Sequence, residues 1–198
     1  MNYLSKFIFI IISIFVLGCE QKEYVKDFKV EGIAVGDSLL KYFSKEDILS
    51  LQRKEDIMGN PIDLTFRKYI DSDFRNYQFE TYEGLQIFYE IDDDDFIIHG
   101  IGGAIWYDFD NKKCNDKYFE VKNILSEQFT TPRIEEVVDE KDIREGMGDT
   151  KTNSTTLYFE NGSSIQIQCI DLDNELLEVA DYFQVSIFSD EINNYWDN

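Results

Sequence analysis

Three stretches of this chain carry apolar side chains at every second position: Leu85, Ile87, Tyr89 and Ile91; then Ile165, Ile167 and Cys169; then Phe183, Val185 and Ile187. A period of two places every second side chain on the same side of an extended backbone, so each stretch reads as a strand with one covered face. Turn signals set the pairing. Asn161-Gly162 is the strongest hairpin signal, Glu83-Gly84 reads as another, and Asp92 to Asp95 makes a third turn. Phe28 to Val35 is extended and ends at Gly36-Asp37, and Tyr77 to Glu80 alternates like a further strand. Phe96 to Tyr107 is a strand on which Gly100, Gly102 and Ala104 share one face, leaving room for a helix to approach closely.

Helical spacing is interleaved with these strands. Asp37 or Ser38 can cap a turn through Leu39, Leu40 and Phe43, and Ser44 with Asp47 can cap again before Ile48, Leu49 and Leu51. Met58-Gly59-Asn60-Pro61 breaks the chain. Asn115 or Asp116 caps a helix carrying Tyr118, Val121, Leu125 and Phe129, and Asp139 to Thr155 reads as a polar loop. The fold class is α+β, an antiparallel sheet with helices on one face. The halves also resemble each other. Lys41 to Gln52 matches Lys117 to Gln128 at seven of twelve positions, and Leu85-Gln86-Ile87 matches Ile165-Gln166-Ile167. Two tandem helix-plus-three-strand repeats, 33–110 and 112–190, would explain this; coincidence in a chain rich in Phe, Ile and Lys is the alternative.

The first nineteen residues carry a separate signal. Lys6 is the only charge before Glu20, and Phe7 to Leu17 is an apolar run broken only by Ser13. As a helix rising about 1.5 Å per residue it would span roughly 17 Å, too short for a hydrocarbon core of about 30 Å. Its end, Val16-Leu17-Gly18-Cys19, resembles the lipobox of bacterial lipoproteins. The resemblance implies that residues 1–18 are a signal peptide and that the Cys19 thiol takes diacylglycerol and fatty acyl chains such as palmitate. Gly18 is the small residue needed at the cut, whereas Leu17 is bulkier than the usual residue there. The expected organisation is a tether over 19–27 and a single domain over 28–198, held at a bacterial membrane and facing the periplasm or the exterior. Val35-Gly36-Asp37-Ser38 before the first helix, with the strand order that follows, resembles the tandem helix–meander proteins typified by β-lactamase inhibitory protein and by the SmpA/OmlA lipoproteins. That resemblance implies a non-catalytic binding module and transfers no functional residue.

Composition narrows the chemistry. Forty acidic against 19 basic residues give a net charge of −21. Such a surface repels nucleic acid, whose binding relies on Lys and Arg neutralising phosphates. Cys114 and Cys169 either pair across the helix–sheet packing, as an oxidising compartment allows, or stay separate with the buried one serving as a small hydrophobe. His99 is the only histidine, so any Ser-His or Cys-His catalysis must use it, and no nucleophile-elbow sequence surrounds a serine. Its alternation with Ile97 and Ile101 suits a hydrogen-bonded sheet histidine. Asp92, Asp93, Asp94 and Asp95 form the densest acidic cluster and are weak calcium candidates; Asp171, Asp173 and Glu175 resemble the start of an EF-hand without its Gly or its bidentate Glu. Gly100-Ile101-Gly102-Gly103 lies within a strand and is no dinucleotide fingerprint. Trp106 and Trp196 are candidate interface anchors. The expectation is a binding protein without catalytic residues or cofactor, meeting another envelope protein through the sheet face opposite the helices. A calcium or cationic-ligand binder and a hydrolase are the alternatives.

Overall fold

The computed structural model describes residues 28–55, 61, 67–75, 77–129, 132–141, 148–173 and 180–197. The signal-like run, Cys19, Met58-Gly59-Asn60 and Glu175 lie outside them. In chain order the elements are β1 (Lys29–Val30), β2 (Ile33–Ala34), a 3-10 turn (Leu39–Lys41), α1 (Lys45–Ser50), β3 (Tyr69–Asp73), β4 (Gly84–Glu90), β5 (Ile98–Trp106), α2 (Asn111–Gln128), β6 (Arg133–Lys141), β7 (Lys151–Tyr158), β8 (Ser164–Asp171), β9 (Tyr182–Phe188) and α3 (Asp190–Trp196). β1 and β2 pair with each other, and the other seven strands form one antiparallel sheet in the order β3-β4-β5-β9-β8-β7-β6. The fold is α+β.

Alternation decides which face is covered. Leu85, Ile87, Tyr89, Ile101, Ile165, Ile167, Phe183, Val185 and Ile187 are buried on one side of the sheet, in a single core with Leu39, Ile48, Tyr118 and Leu125 from the helical layer. Each fully buried side chain of this size contributes about 1.5–3 kcal/mol, so this face holds the fold together. Two covalent or polar ties fix α2 above it. Cys114 on α2 and Cys169 on β8 are joined as a disulfide with Cα atoms 5.6 Å apart, and the Tyr118 hydroxyl meets Thr155 Oγ1 of β7 at 2.6 Å. The small α3 lies on the other face: its Trp196 packs against Phe88 and Phe188, which alternate with Ile87 and Ile187.

Several local expectations are corrected. Phe28 to Val35 is a hairpin rather than one strand, because Glu31 and Gly32 both adopt positive φ (53° and 78°) and turn the chain. Tyr77 to Glu80 is not a strand. This segment is pinned by the Glu31 carboxylate, which accepts the backbone N–H groups of Glu80, Thr81 and Tyr82 at 2.7–2.9 Å. Gly84 opens β4 instead of sitting in a turn, and the preceding strand is β3, whose sequence shows no clear period. α2 begins at Asn111 behind the cap Asp110, whose side chain accepts the Lys113 N–H, five or six residues before the expected cap at Asn115 or Asp116. The described part of the polar stretch Asp139 to Thr155 is mostly strand, holding the last three residues of β6 and the first five of β7. The second half therefore contributes four strands, not three. Ser44 caps α1 as its sequence suggests, accepting the Asp47 N–H, and Gly162 at φ 85° makes the β7–β8 turn.

Register relates the two halves. Leu85 faces Gly103 and Ile87 faces Ile101 across β4–β5, just as Ile165 faces Ile187 and Ile167 faces Val185 across β8–β9. Across the central β5–β9 pair, Gly103 faces Val185 and Ile101 faces Ile187. Exchanging Ile101 with Val185 and Gly103 with Ile187 carries these pairings onto themselves, so a local two-fold passes through the Gly102–Ser186 pair.

Candidate functional site

Among the described residues the face opposite α2 carries only α3 as a covering element, and it lies at one end. Reading across strands gives its floor. Asp73, Gln86, Gly102, Ser186, Gln166, Thr156 and Glu135 stand opposite one another from β3 to β6. The next row runs Gly84, Ala104, Gln184, Gln168, Ser154 and Val137. Between the edge strands both rows consist of small residues, hydroxyls and side-chain amides, with Asp73, Glu135 and Val137 on the edge strands themselves. Aromatic rows flank them, Phe88, Phe188 and Tyr158 with Trp196 on one side and Trp106 with Tyr182 on the other. At about 4.8 Å between strands the floor is roughly 29 Å long.

Concavities follow this floor. The largest, about 520 Å³, is lined by Arg53, Arg75, Gln86, Gly102, Trp106 and Gln184 among others. A second, about 450 Å³, lies over Thr152, Ser154, Gln166 and Gln168, and a third, about 290 Å³, shares Thr156, Tyr158 and Gln166 with it and reaches Trp196. Volumes of this order suit a ligand or an inserted side chain. Gly102 leaves the centre open: a Cβ there would lie 2.6 Å from Gln184 Nε2 and 2.8 Å from Ser186 Oγ and would push these two side-chain ends aside. The expected helix does not approach this glycine face; Gly100 is instead covered by the rings of Phe88 and Phe188.

Polar side chains lining the first concavity are chained to one another and to Asp71. Gln184 Nε2 donates to Gln86 Oε1 at 3.2 Å, Gln86 Nε2 donates to Asp71 Oδ2 at 2.8 Å, and Arg53 Nε lies 3.0 Å from the same oxygen. Arg75 pairs with Asp73 Oδ2 at 2.5 Å and lies over the Trp106 ring; the Asp73 carboxylate holds this guanidinium above its ordinary pKa, outweighing burial. Such chains fix side-chain amides in one orientation, which is what a preformed recognition surface requires.

The other sequence candidates do not converge here. His99 is half-buried beside Tyr69, with Nδ1 3.4 Å from Ser189 Oγ and 3.9 Å from Glu191. Ser189 is committed elsewhere, accepting the Ile192 N–H as the cap of α3, and neither residue lines the three concavities. Asp93 folds back to accept the Asp95 and Ile97 N–H groups, while Asp94 pairs with Lys45. Asp171 accepts from Asn111, and Asp173 accepts the Asp149 N–H. Among the described residues no three His, Cys, Asp or Glu side chains are grouped to hold a metal ion, and no helix is long and apolar enough to cross a membrane. Of the two tryptophans, Trp106 lines the floor's largest concavity and Trp196 walls the third.

Arg53, Arg75, Gln86, Gln166, Gln168 and Gln184 were not candidates from sequence. The alternation that assigns Leu85, Ile87, Ile165 and Ile167 inward already places Gln86 and Gln166 on the outer face; what it lacks is the strand order that aligns them. Compared with family models, with curated proteins and with solved structures, the chain matches none.

Proposed function

We propose that this chain is a non-catalytic binding module of the bacterial envelope, anchored through lipid on Cys19, that receives a segment of another envelope protein on its open sheet face. The observation that carries the reading is the floor itself: two rows of oriented amides, hydroxyls and glycine, one crossing seven strands and the other six, between aromatic flanks. Side-chain amides offer the donor and acceptor of a peptide group, so they complement polypeptide backbone, while Trp, Tyr and Arg are the residue types that anchor protein interfaces. The concavities of the floor are less acidic than the chain as a whole. Four cations and five acids line the three concavities, whereas the whole chain has 19 against 40.

A photo-crosslinking residue placed at Gln168 or Gln184 in cells should yield a discrete adduct in native membranes. The same group at Glu120 on α2 should not, and unlabelled protein should compete the adduct away. Equal capture from Glu120 and Gln168 refutes the assignment of the face. Cys19→Ser should abolish incorporation of a tagged fatty acid and release the protein from the membrane fraction; an unlabelled wild-type protein refutes the anchor.

A further inference from the structure

We infer that the anchored protein rests its helical layer on the bilayer surface, so that the amide-lined floor opens away from the membrane to a protein arriving from the aqueous compartment. This rests on lipidation at Cys19 as proposed above. The point of chain entry argues for it. The Phe28 ring packs on Phe129 just after α2, 5.5 Å between centroids, and Phe129 packs on Phe159. Val30, Ile33 and Ala34 of the hairpin that follows are buried in the core of the covered face. The chain therefore joins the domain from the helical side.

Length then limits the alternatives. Nine peptide units separate Cys19 from Phe28, at most about 30 Å when fully extended. To press the open face on the lipid, that tether would have to pass the rim of the sheet and descend the two layers of about 10 Å each, which takes most of its length before the headgroups are reached.

The outer surface of the helical layer suits a membrane boundary. Leu40, Leu49, Phe119 and Ile124 are exposed there, each more than 40 % accessible. The lysines of α2 accompany them, with Lys112, Lys113, Lys117 and Lys122 each paired to a carboxylate. Apolar side chains beside lysines on a helix surface are the composition that settles at the headgroup boundary. The acidic excess that would repel anionic lipid is neutralised on this layer.

The full chain, expressed with its signal and purified from membranes, would be reconstituted into vesicles of phosphatidylcholine and phosphatidylglycerol containing brominated acyl chains. A fluorophore would be attached at Glu120→Cys on α2 or at Gln168→Cys on the floor; Cys114 and Cys169 are already bonded to each other. The expected result is co-flotation with the vesicles and quenching several-fold stronger at position 120 than at position 168. Flotation with equal quenching at the two positions, or stronger quenching at 168, overturns the orientation and leaves the anchor standing. Failure to float overturns the anchor and the orientation with it.

Discussion

Removing the Cys114–Cys169 bond should cost this protein a large part of its stability. The bond closes a loop of 55 residues, and the chain-entropy relation for a loop of that length gives about 4 kcal/mol. Domains of this size have a total stability of only about 5–15 kcal/mol. Cys114→Ala with Cys169→Ala is the appropriate perturbation, since both sulfurs are buried and serine would add unpaired hydroxyls to the core. With a shift of about 2–4 °C per kcal/mol for a chain of this length, the melting temperature should fall by about 8–16 °C. Thermal unfolding followed by far-ultraviolet circular dichroism reads this directly. Urea titration should show a steeper denaturant dependence for the variant, because its unfolded chain is no longer constrained. Each single substitution should cost nearly as much as the pair, as expected when two residues act through one bond. A double variant melting within about 3 °C of the wild type would refute the reasoning, as would mass spectrometry finding two free thiols in the native protein.

Two further outcomes test the packing of α2 and the N-terminal hairpin. Tyr118→Phe leaves Thr155 Oγ1 buried without its partner and should cost about 1–3 kcal/mol in urea unfolding; adding Thr155→Val should restore most of it, because the unpaired hydroxyl is then gone. For Glu31, burial raises the carboxyl, but the N–H groups of Glu80, Thr81 and Tyr82 outweigh it and hold the pKa below 4.5. A carboxyl lowered on folding stabilises above its unfolded value and loses that contribution as pH falls through its folded value. The urea midpoint of wild type should therefore exceed that of Glu31→Gln above pH 4.5 and converge with it in acid; a gap that widens in acid refutes the role.

The part of this architecture legible in the sequence is the part written as period-two alternation. β4, β8 and β9 repeat one apolar face over at least three positions, and the structure buries those faces as read. β6 escapes the reading because it is an edge strand with nearly every residue exposed, so no face is selected for apolar side chains. β7 escapes because its covered positions include Thr155, which is satisfied by a hydroxyl on α2 rather than by apolar contact. The matched segments 41–52 and 117–128 show the limit of similarity as a guide to local structure. Ser44 stops the first, capping a new helix with its side chain, while Glu120 at the corresponding place lets α2 continue. The floor was hidden for a different reason: Gln86 and Gln184 are unremarkable polar residues until β4, β5 and β9 are placed side by side.

The two-fold through Gly102 and Ser186 bears on what can dock there. The backbone frame repeats across this axis, since the β4–β5 pairings from Gly84 to Phe88 correspond to the β8–β9 pairings from Ser164 to Gln168. The side chains on the open face do not repeat. One flank holds Arg53, Asp73, Arg75 and Trp106 around the first concavity; the other holds Thr152, Ser154, Thr156 and Gln168 over the second, with Glu135, Glu140 and Lys141 at its edge strand. A symmetric scaffold with an asymmetric floor does not call for a symmetric partner. One segment crossing the axis would meet guanidinium and indole first and hydroxyls with an edge of carboxylates after, and that order gives it a direction. A partner bound in one direction only should crosslink from position 184 and from position 168 at two different places in its own sequence, in a fixed order. Crosslinks from both positions to the same residue would mean that the floor does not read direction.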